Sequence, residues 1–234
     1  MIKGEQLYEG KAKKVFATEN EDLCIVDYKD DATAFNGEKK GSIAGKGVVN
    51  NRMSNLLFAY LAKQGVENHF VEELSDRETL VKKVSIVPLE VIIRNTAAGS
   101  FSKRFGVEEG TKLKNPTLEY CLKDDALGDP MINDSQILAI ESATQEELDT
   151  ISVYAYKVNE VLIAFFKEIG IELIDFKIEF GRYHGRVILA DEISPDTCRL
   201  WDIATRQKLD KDRFRRDLGG VEEAYAEVFK RLKL

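Results

Sequence analysis

The chain has 234 residues, 44% of them hydrophobic, and a formal net charge of −7. This length allows a substantial core in one large or two small domains, and we expect two. The acidic balance argues against nucleic acid as the main partner, because proteins that bind a phosphate backbone present a basic face.

Cysteine and histidine are too scattered for several common kinds of site. Cys24, Cys121 and Cys198 form no CxxC pair, which argues against a zinc site or a disulfide framework and fits a reducing compartment. No apolar run approaches the roughly 18 residues of a membrane span, so we expect a cytoplasmic protein without a membrane partner. Neither His69 nor His184 neighbours a serine or cysteine in a triad-like arrangement. Any chemistry must therefore use Lys, Arg, Asp and Glu.

The N-terminal segment predicts a hairpin that could bind a nucleotide. Residues 7–17 predict two strands around a turn at residues 10–12, and residues 23–28 predict a third strand. Lys11 and Lys13 flank the turn, so backbone amides and ammonium groups could cover a triphosphate. The alternative is an ordinary hairpin with solvated lysines.

A loop and a helix follow. Residues 30–47 are glycine-rich and polar without a period, which predicts a long loop and a candidate flexible lid. A helix is predicted from Val48 to a stop at Gly65. Its apolar side chains recur every three or four residues and predict a buried stripe: Met53, Leu56, Leu57, Tyr60 and Leu61.

Two further strands are predicted at residues 69–74 and 79–86. Lys82 and Lys83 are adjacent, so they must face opposite sides, and one of them could contact phosphate. The alternative is a lysine in solvent. Val87 and Pro88 break the strand, because proline lacks a donor and restricts the residue before it. We place a domain boundary here, between a nucleotide-covering domain at 1–87 and a substrate- and metal-binding domain at 88–234.

The next strand, residues 89–95, leads into a segment suited to an anion. Arg94 lies near the strand end, and Gly99 and Ser100 precede a predicted short helix. A guanidinium, a hydroxyl and free backbone amides together make a candidate phosphate site. For Ser100 alone, the alternative is a simple helix N-cap.

The rest of the second half is predicted mainly helical around one hairpin. Residues 122–134 form an acidic loop, and Thr144 with Glu147 predicts a capping box. The helix that follows ends at Gly170 and carries an apolar stripe: Leu148, Ile151, Ala155, Val158, Leu162 and Phe165. Two short helices are predicted on either side of Gly219 and Gly220.

A charged hairpin between residues 170 and 202 is the strongest candidate for chemistry. Asp175, Lys177 and Glu179 alternate with apolar residues, so in a strand they share one face. The returning strand, residues 187–190, is followed directly by Asp191. Paired acids beside a lysine suit a hard divalent cation on nucleotide phosphates. The alternative is alternating charge on the exposed face of a half-buried sheet.

The register of this hairpin decides whether its acids meet. A two-residue turn at His184 and Gly185 would place Ala190 opposite Glu179 and send Asp191 to the other face. A longer or bulged turn would place Asp191 opposite Glu179. We expect the longer or bulged turn.

Several long motifs resemble the phosphoribosylaminoimidazole-succinocarboxamide synthase (SAICAR synthetase) family nearly end to end. They are YEGKAK (8–13), GVVNN (47–51), PLEVIIRNTAAGS (88–100), DFKIEFG (175–181), DEISPDTCRLWD (191–202) and DKDRFRRDLGG (210–220). The resemblance implies an ATP-dependent ligase that joins L-aspartate to the carboxylate of an aminoimidazole ribonucleotide (CAIR). It also implies a two-domain, ATP-grasp-like α+β fold, Mg²⁺ and a homodimer.

The resemblance implies roles for particular residues. Those implied to bind ATP are Lys11, Ala12, Lys13, Val15, Lys82, Ile86, Lys123, Glu179 and Asp191. The last two are also implied to carry magnesium. Those implied to bind the ribonucleotide are Arg94, Ser100, Asp129, Arg199 and Arg215. Asp175, Lys177 and Arg199 are implied to be catalytic, with Asp175 and Lys177 near the reacting carboxylate.

The implied chemistry agrees with the scarcity of histidine and cysteine. A substrate carboxylate attacks the γ-phosphorus of ATP to give an acyl phosphate, and the amine of aspartate then displaces phosphate. No protein nucleophile is needed. A small-molecule kinase and a noncatalytic nucleotide-binding module are the competing functions. A protein kinase is excluded, because the strand reads DFK where that class has DFG, and no HRD motif is present.

Overall fold

The structure is a computed structural model that describes residues 2–34 and 38–234. The strands are β1 (Gln6–Glu9), β2 (Lys13–Ala17), β3 (Leu23–Tyr28), β4 (Asp31–Ala34), β5 (Lys39–Ser42), β6 (Phe70–Glu73), β7 (Glu78–Lys82), β8 (Ser85–Ile86), β9 (Leu89–Thr96), β10 (Lys112–Leu122), β11 (Met131–Ile132), β12 (Ile171–Tyr183), β13 (Arg186–Ala190) and β14 (Cys198–Asp202). The helices are α1 (Lys46–Lys63), α2 (Gly99–Phe105), α3 (Asp134–Ala139), α4 (Gln145–Glu168), α5 (Asp212–Arg215) and α6 (Val221–Arg231).

Two antiparallel sheets organise the chain. The first has five strands in the order β1-β2-β3-β7-β6. The second has seven strands, with the path β11-β10-β9-β12-β13 and with β8 and β14 also paired to β12. The long strand β12 therefore makes hydrogen bonds with four other strands. The combination of antiparallel sheets and separate helices confirms the predicted α+β class.

One large core packs helices against the seven-stranded sheet. Met53 and Leu57 of α1, Ile151 and Leu162 of α4, and Phe176 of β12 are all buried in the same apolar cluster. The predicted stripes of both helices are thus confirmed as core-facing. Their burial follows from the 3.6-residue period, which lines apolar side chains along one side of each helix.

Local sequence signals set the ends of α4. The hydroxyl of Thr144 accepts from the Glu147 amide at 3.2 Å, and Glu147 accepts from the Thr144 amide at 2.9 Å, which confirms the capping box. Gly170, just beyond the helix, has a φ of 73°, a conformation that glycine adopts without strain. The chain can therefore turn directly from α4 into β12.

The prediction of a loop at residues 30–47 is wrong for most of the residues that the structure describes there. β4 and β5 pair as a two-stranded antiparallel sheet, and α1 already begins at Lys46. Ala32 and Ile43 are buried against Tyr225 of α6. This long-range packing orders a segment that has no local period. Residues 35–37 of the predicted lid lie outside the described residues.

The predicted division at residue 87 falls just after β8, the first strand of the seven-stranded sheet, so it follows the sheets only approximately and does not follow the core. The five-stranded sheet uses residues up to 82, whereas the seven-stranded sheet begins with β8. However, α1 and Val87 belong to the large core beside the seven-stranded sheet. The two-domain division therefore stays a prediction. Over residues 2–34 and 38–234, no helix has the length and hydropathy needed to cross a bilayer.

Candidate active site

The charged hairpin has the shorter of the two turns considered above. Tyr183 pairs with Arg186, and Glu179 pairs with Ala190. The connection is therefore the two residues His184 and Gly185, whose φ values are 46° and 76°. Two consecutive positive φ values are typical of the tight turns that match the twist of a hairpin. Our expectation of a longer or bulged turn is wrong.

Asp191 nevertheless reaches the face that carries Glu179. The strand β13 ends at Ala190, and Asp191 has a φ of 61°. This left-handed conformation breaks the alternation of the strand and redirects the side chain. Lys177 Nζ lies 2.6 Å from Glu179 Oε1 and 3.3 Å from Asp191 Oδ2. The two acids therefore meet at one ammonium group.

A cleft of about 590 Å³ lies between the five-stranded sheet and this hairpin. Every residue that the resemblance assigns to ATP lines it: Lys11, Ala12, Lys13, Val15, Lys82, Ile86, Lys123, Glu179 and Asp191. Lys83 lines it together with Lys82. Because β7 ends at Lys82, Lys83 lies beyond the alternating strand, and the opposite facing of the two lysines stays a prediction.

Charged pairs fill the inner end of this cleft. Lys13 contacts Asp191, and its Nζ lies 3.1 Å from Glu192 Oε1. Burial alone would lower the pKa of Lys13, but the two acids hold it well above its usual value. Burial alone would raise the pKa of Asp191, but Lys13 and Lys177 hold it well below its usual range. Lys13 and Asp191 are therefore charged at neutral pH.

Glu179 is held by a second lysine. Lys123 Nζ donates to Glu179 Oε1 at 2.9 Å, so the same oxygen accepts from Lys123 and Lys177. The side chain of Glu179 is 3% exposed, whereas that of Lys123 is 42% exposed. The acid is therefore a fixed part of the cleft wall, and its lysine partner lies at the rim.

A smaller pocket of about 230 Å³ opens beside the first cleft. Its lining contains Arg94, Ser100, Arg199 and Arg215, which the resemblance assigns to the ribonucleotide. Asp175 and Lys177 line it as well. Asp129, assigned to the same substrate, lines the larger cleft and not this pocket. The structure thus brings together four of the five residues assigned to the ribonucleotide.

Strand register builds the arginine cluster of the smaller pocket. Asp175 on β12 pairs with Arg94 on β9 at one side and with Arg199 on β14 at the other. Directly opposed residues in antiparallel strands share a face. Arg94 Nη1 donates to Asp175 Oδ2 at 2.9 Å, and Arg199 Nη1 donates to the same oxygen at 2.9 Å. One buried acid therefore holds two guanidinium groups side by side.

Arg94 has two further partners that fix its orientation. Its Nε donates to Glu119 Oε2 at 3.0 Å, and its Nη2 donates to Ser100 Oγ at 3.0 Å. Ser100 lies inside the first turn of α2, whose N-cap is Ala98 without a side-chain cap. The placement of Ser100 before the helix is therefore wrong, and so is its alternative role as an N-cap.

Lys177 and Glu90 line both cavities. Lys177 Nζ lies 3.6 Å from Glu90 Oε1 as well as near Glu179 and Asp191. Burial alone would lower the pKa of Lys177, but its acidic neighbours, Glu179 first, hold it well above its usual value. A permanently charged lysine thus marks the junction of the two cavities.

Three residues of this region, Glu90, Lys46 and Asp212, were not identified from the sequence. Glu90 could have been found, because it alternates with Arg94 along β9 and so faces the same way. Lys46 and Asp212 carried no local signal. Lys46 is fully buried, and its Nζ donates to Asp196 Oδ2 at 2.9 Å across 150 residues of sequence. Only the tertiary structure brings such partners together.

Comparison with known proteins gives one family. The model of the SAICAR synthetase family matches residues 6–232. A phosphoribosylaminoimidazole-succinocarboxamide synthase from Lachnoclostridium phytofermentans is 74% identical over 99% of each chain. The crystal structure of such a synthase from Ehrlichia chaffeensis is 48% identical, with a TM-score of 0.96 over 98% of each chain. A SAICAR synthetase solved in complex with ADP is 44% identical, with a TM-score of 0.93 over 96% of each chain. The chain therefore belongs to the SAICAR synthetase family.

Proposed function

We propose that the two joined cavities carry out the ATP-dependent ligation of this family. The reaction joins L-aspartate to the carboxylate of 5-amino-1-(5-phospho-D-ribosyl)imidazole-4-carboxylate and gives SAICAR, ADP and phosphate in de novo purine biosynthesis. The observation that carries this proposal is the position of Lys177. It lines both cavities, so a nucleotide in one and a carboxylate in the other can meet at its charge.

In this proposal the larger cleft binds ATP. The backbone and lysines of the β1–β2 turn cover the phosphates, and Ile86 lies beside the adenine. Lys82 adds a further positive charge, although its Nζ already donates to the Asn68 carbonyl at 3.0 Å. Several lysines around one cleft offset the charge of a triphosphate in an otherwise acidic protein. The ADP complex of a 44% identical relative supports this assignment.

The smaller pocket binds the ribonucleotide. Arg94, Arg199 and Arg215 present guanidinium groups at its wall, and guanidinium suits phosphate because it can donate two parallel hydrogen bonds. Ser100 adds a hydroxyl. We assign Asp129 to the junction side of the substrate, because this residue lines the larger cleft.

The acids at the junction fit Mg²⁺. Among the described residues no group of three or more His, Cys, Asp or Glu side chains is arranged to hold a metal. Mg²⁺ nevertheless commonly takes one or two carboxylates and completes its shell with phosphate oxygens and water. Glu179 and Asp191 offer two carboxylates that converge on Lys177. We propose that they hold Mg²⁺, which supplies charge neutralisation for phosphoryl transfer when bound.

The side chains contribute position and charge. Lys177 draws the substrate carboxylate towards the phosphates of ATP and stabilises negative charge there. Asp175 is engaged by Arg94 and Arg199, so it orients the arginines of the ribonucleotide pocket. The aligned substrates react with each other, which needs no nucleophile from the protein. Exclusion of water from the cleft protects the acyl phosphate from hydrolysis.

A substrate-omission assay tests this function. Phosphate release is measured with ATP, the carboxylated ribonucleotide and L-aspartate, and with each omitted in turn. We expect sustained release only when all three are present. Release undiminished without aspartate would indicate a small-molecule kinase instead. Nucleotide binding without release under any combination would indicate a noncatalytic module.

Family membership also supports proposals about the whole protein. We propose a homodimer that works in the cytoplasm, with a nucleotide-covering domain at 1–87 and a substrate-binding domain at 88–234. Light scattering on the purified chain measures its molar mass, and a value near 26.5 kDa would contradict the dimer.

A further inference from the structure

The Asp212 carboxylate, which lies outside the smaller pocket, accepts hydrogen bonds from two arginines that line it. Asp212 Oδ2 accepts from Arg199 Nε at 2.8 Å, and Asp212 Oδ1 accepts from Arg215 Nη1 at 2.9 Å. Asp212 is 2% exposed and does not line the pocket. Each of its two oxygens therefore holds a different cation that does line the pocket.

The backbone of Asp212 is itself tied to strand β14. Its amide donates to Asp210 Oδ1 at 2.8 Å, and the Leu200 amide donates to Asp210 Oδ2 at 2.8 Å. Leu200 directly follows Arg199 in the strand. Asp210 is fully buried, so this link is shielded from water. The position of Asp212 is therefore set relative to Arg199 before any ligand binds.

These contacts leave one edge of Arg199 available. Nε is occupied by Asp212, and Nη1 is occupied by both oxygens of Asp175. Across residues 2–34 and 38–234, Nη2 makes no hydrogen bond, and it lies against Gly99 at the start of α2. An ideal Cβ built on Gly99 would lie only 2.7 Å from Arg199 Cζ. Two acids thus hold the guanidinium plane with Nη2 ready to donate.

We propose that Asp212 is a positioning residue, which sets the orientation of Arg199 and Arg215 for the phosphate of the ribonucleotide. This inference rests on the proposed assignment of the smaller pocket. Without the Asp212 carboxylate, both arginines regain freedom that binding must remove, so affinity for the ribonucleotide falls. The ATP cleft does not include either arginine, so affinity for ATP stays the same.

The test is the variant Asp212→Asn, with Asp217→Asn as its matched control. The Asp217 side chain is 85% exposed, and Lys39 is its salt-bridge partner away from the pocket. We expect the KM for the ribonucleotide to rise about tenfold in Asp212→Asn, the size expected for losing a hydrogen bond to a charged group. We expect the KM for ATP to stay within twofold, and both constants to be unchanged in Asp217→Asn.

Two outcomes would overturn the inference. One is an unchanged KM for the ribonucleotide in folded Asp212→Asn, and the other is an equal rise in both KM values. If Asp212→Asn does not fold, Asp212→Glu is measured in the same way, because it keeps the charge and displaces it by one methylene. An unchanged KM for the ribonucleotide in Asp212→Glu would then overturn the inference.

Arg199→Lys separates this inference from the proposed function. Lysine keeps the positive charge but cannot donate the two parallel hydrogen bonds of a guanidinium group. If Arg199→Lys leaves the KM for the ribonucleotide unchanged, the assignment of the pocket fails. If Arg199→Lys raises it and Asp212→Asn does not, only the role of Asp212 fails.

Discussion

Glu179 and Asp191 meet at Lys177 Nζ although they are not opposite each other in their hairpin. The register places Ala190 opposite Glu179, and the positive φ of Asp191 turns its side chain back to the shared face. A left-handed conformation is unusual for a residue other than glycine, and aspartate is one of those that tolerate it. The backbone conformation of Asp191 therefore brings its side chain to the face that carries Glu179, as a bulge in the hairpin would have done.

This arrangement predicts separate effects on turnover and stability. Glu179→Gln and Asp191→Asn each keep side-chain size, and asparagine tolerates the same backbone conformation. We expect turnover to fall on the order of a hundredfold, because each variant removes a charged oxygen from the proposed magnesium site. Steady-state release of ADP measures turnover, and thermal unfolding measures stability. The control is Asp76→Asn, whose side chain is 73% exposed. A large drop in melting temperature with little loss of turnover would indicate a structural role instead.

A pair of glycine variants tests the close approach of Arg199 to α2. Gly99 and Gly106 have φ values of 53° and 64°, so alanine is strained to a similar degree at both. A Cβ at Gly99 would collide with the Arg199 guanidinium, whereas a Cβ at Gly106 would meet nothing within 4 Å. We expect Gly99→Ala to raise the KM for the ribonucleotide and Gly106→Ala to leave it unchanged. Urea unfolding should show a loss of about 1–2 kcal/mol from backbone strain in Gly106→Ala and a larger loss in Gly99→Ala, because there the Arg199 guanidinium must also shift. Equal KM values in the two variants would contradict the packing of Arg199 on Gly99.

Because the pKa of Asp210 is raised in the folded protein, we expect the free energy of unfolding to depend on pH. Burial raises the pKa of Asp210 to about 7, and the neighbouring Asp212 carboxylate adds to the shift. Between about pH 4 and pH 7 the folded protein keeps a proton that the unfolded chain releases. The stability from this group is therefore full at the acidic end and is lost as the pH rises towards 7.

The variant Asp210→Asn isolates this effect. We expect the difference in unfolding free energy, wild type minus variant, to fall by about 2 kcal/mol from pH 5 to pH 7. Urea unfolding at several pH values measures it. Asp217→Asn, with an exposed side chain, should show no such trend. A difference that grows with pH would contradict a raised pKa at Asp210.

Local patterns in the sequence predicted much of the fold and many of the site residues. Alternation in β12 correctly places Asp175, Lys177 and Glu179 on one face, because strand geometry depends only on neighbours along the chain. Helical periodicity and the Thr144 capping box correctly predicted the buried stripe and the N-terminus of α4. Such signals need no knowledge of distant residues.

Register and partners across the molecule required the tertiary structure. The buried pairing of Lys46 with Asp196 and the packing of Ala32 and Ile43 against Tyr225 join segments far apart in sequence. The φ of Asp191 and the two arginines held by Asp212 involve shorter separations but follow no periodic pattern. The order of residues was enough to identify which side chains could bind phosphate and metal. Only the folded chain decided which of them meet, because long-range packing and buried charge pairs leave no periodic mark on the sequence.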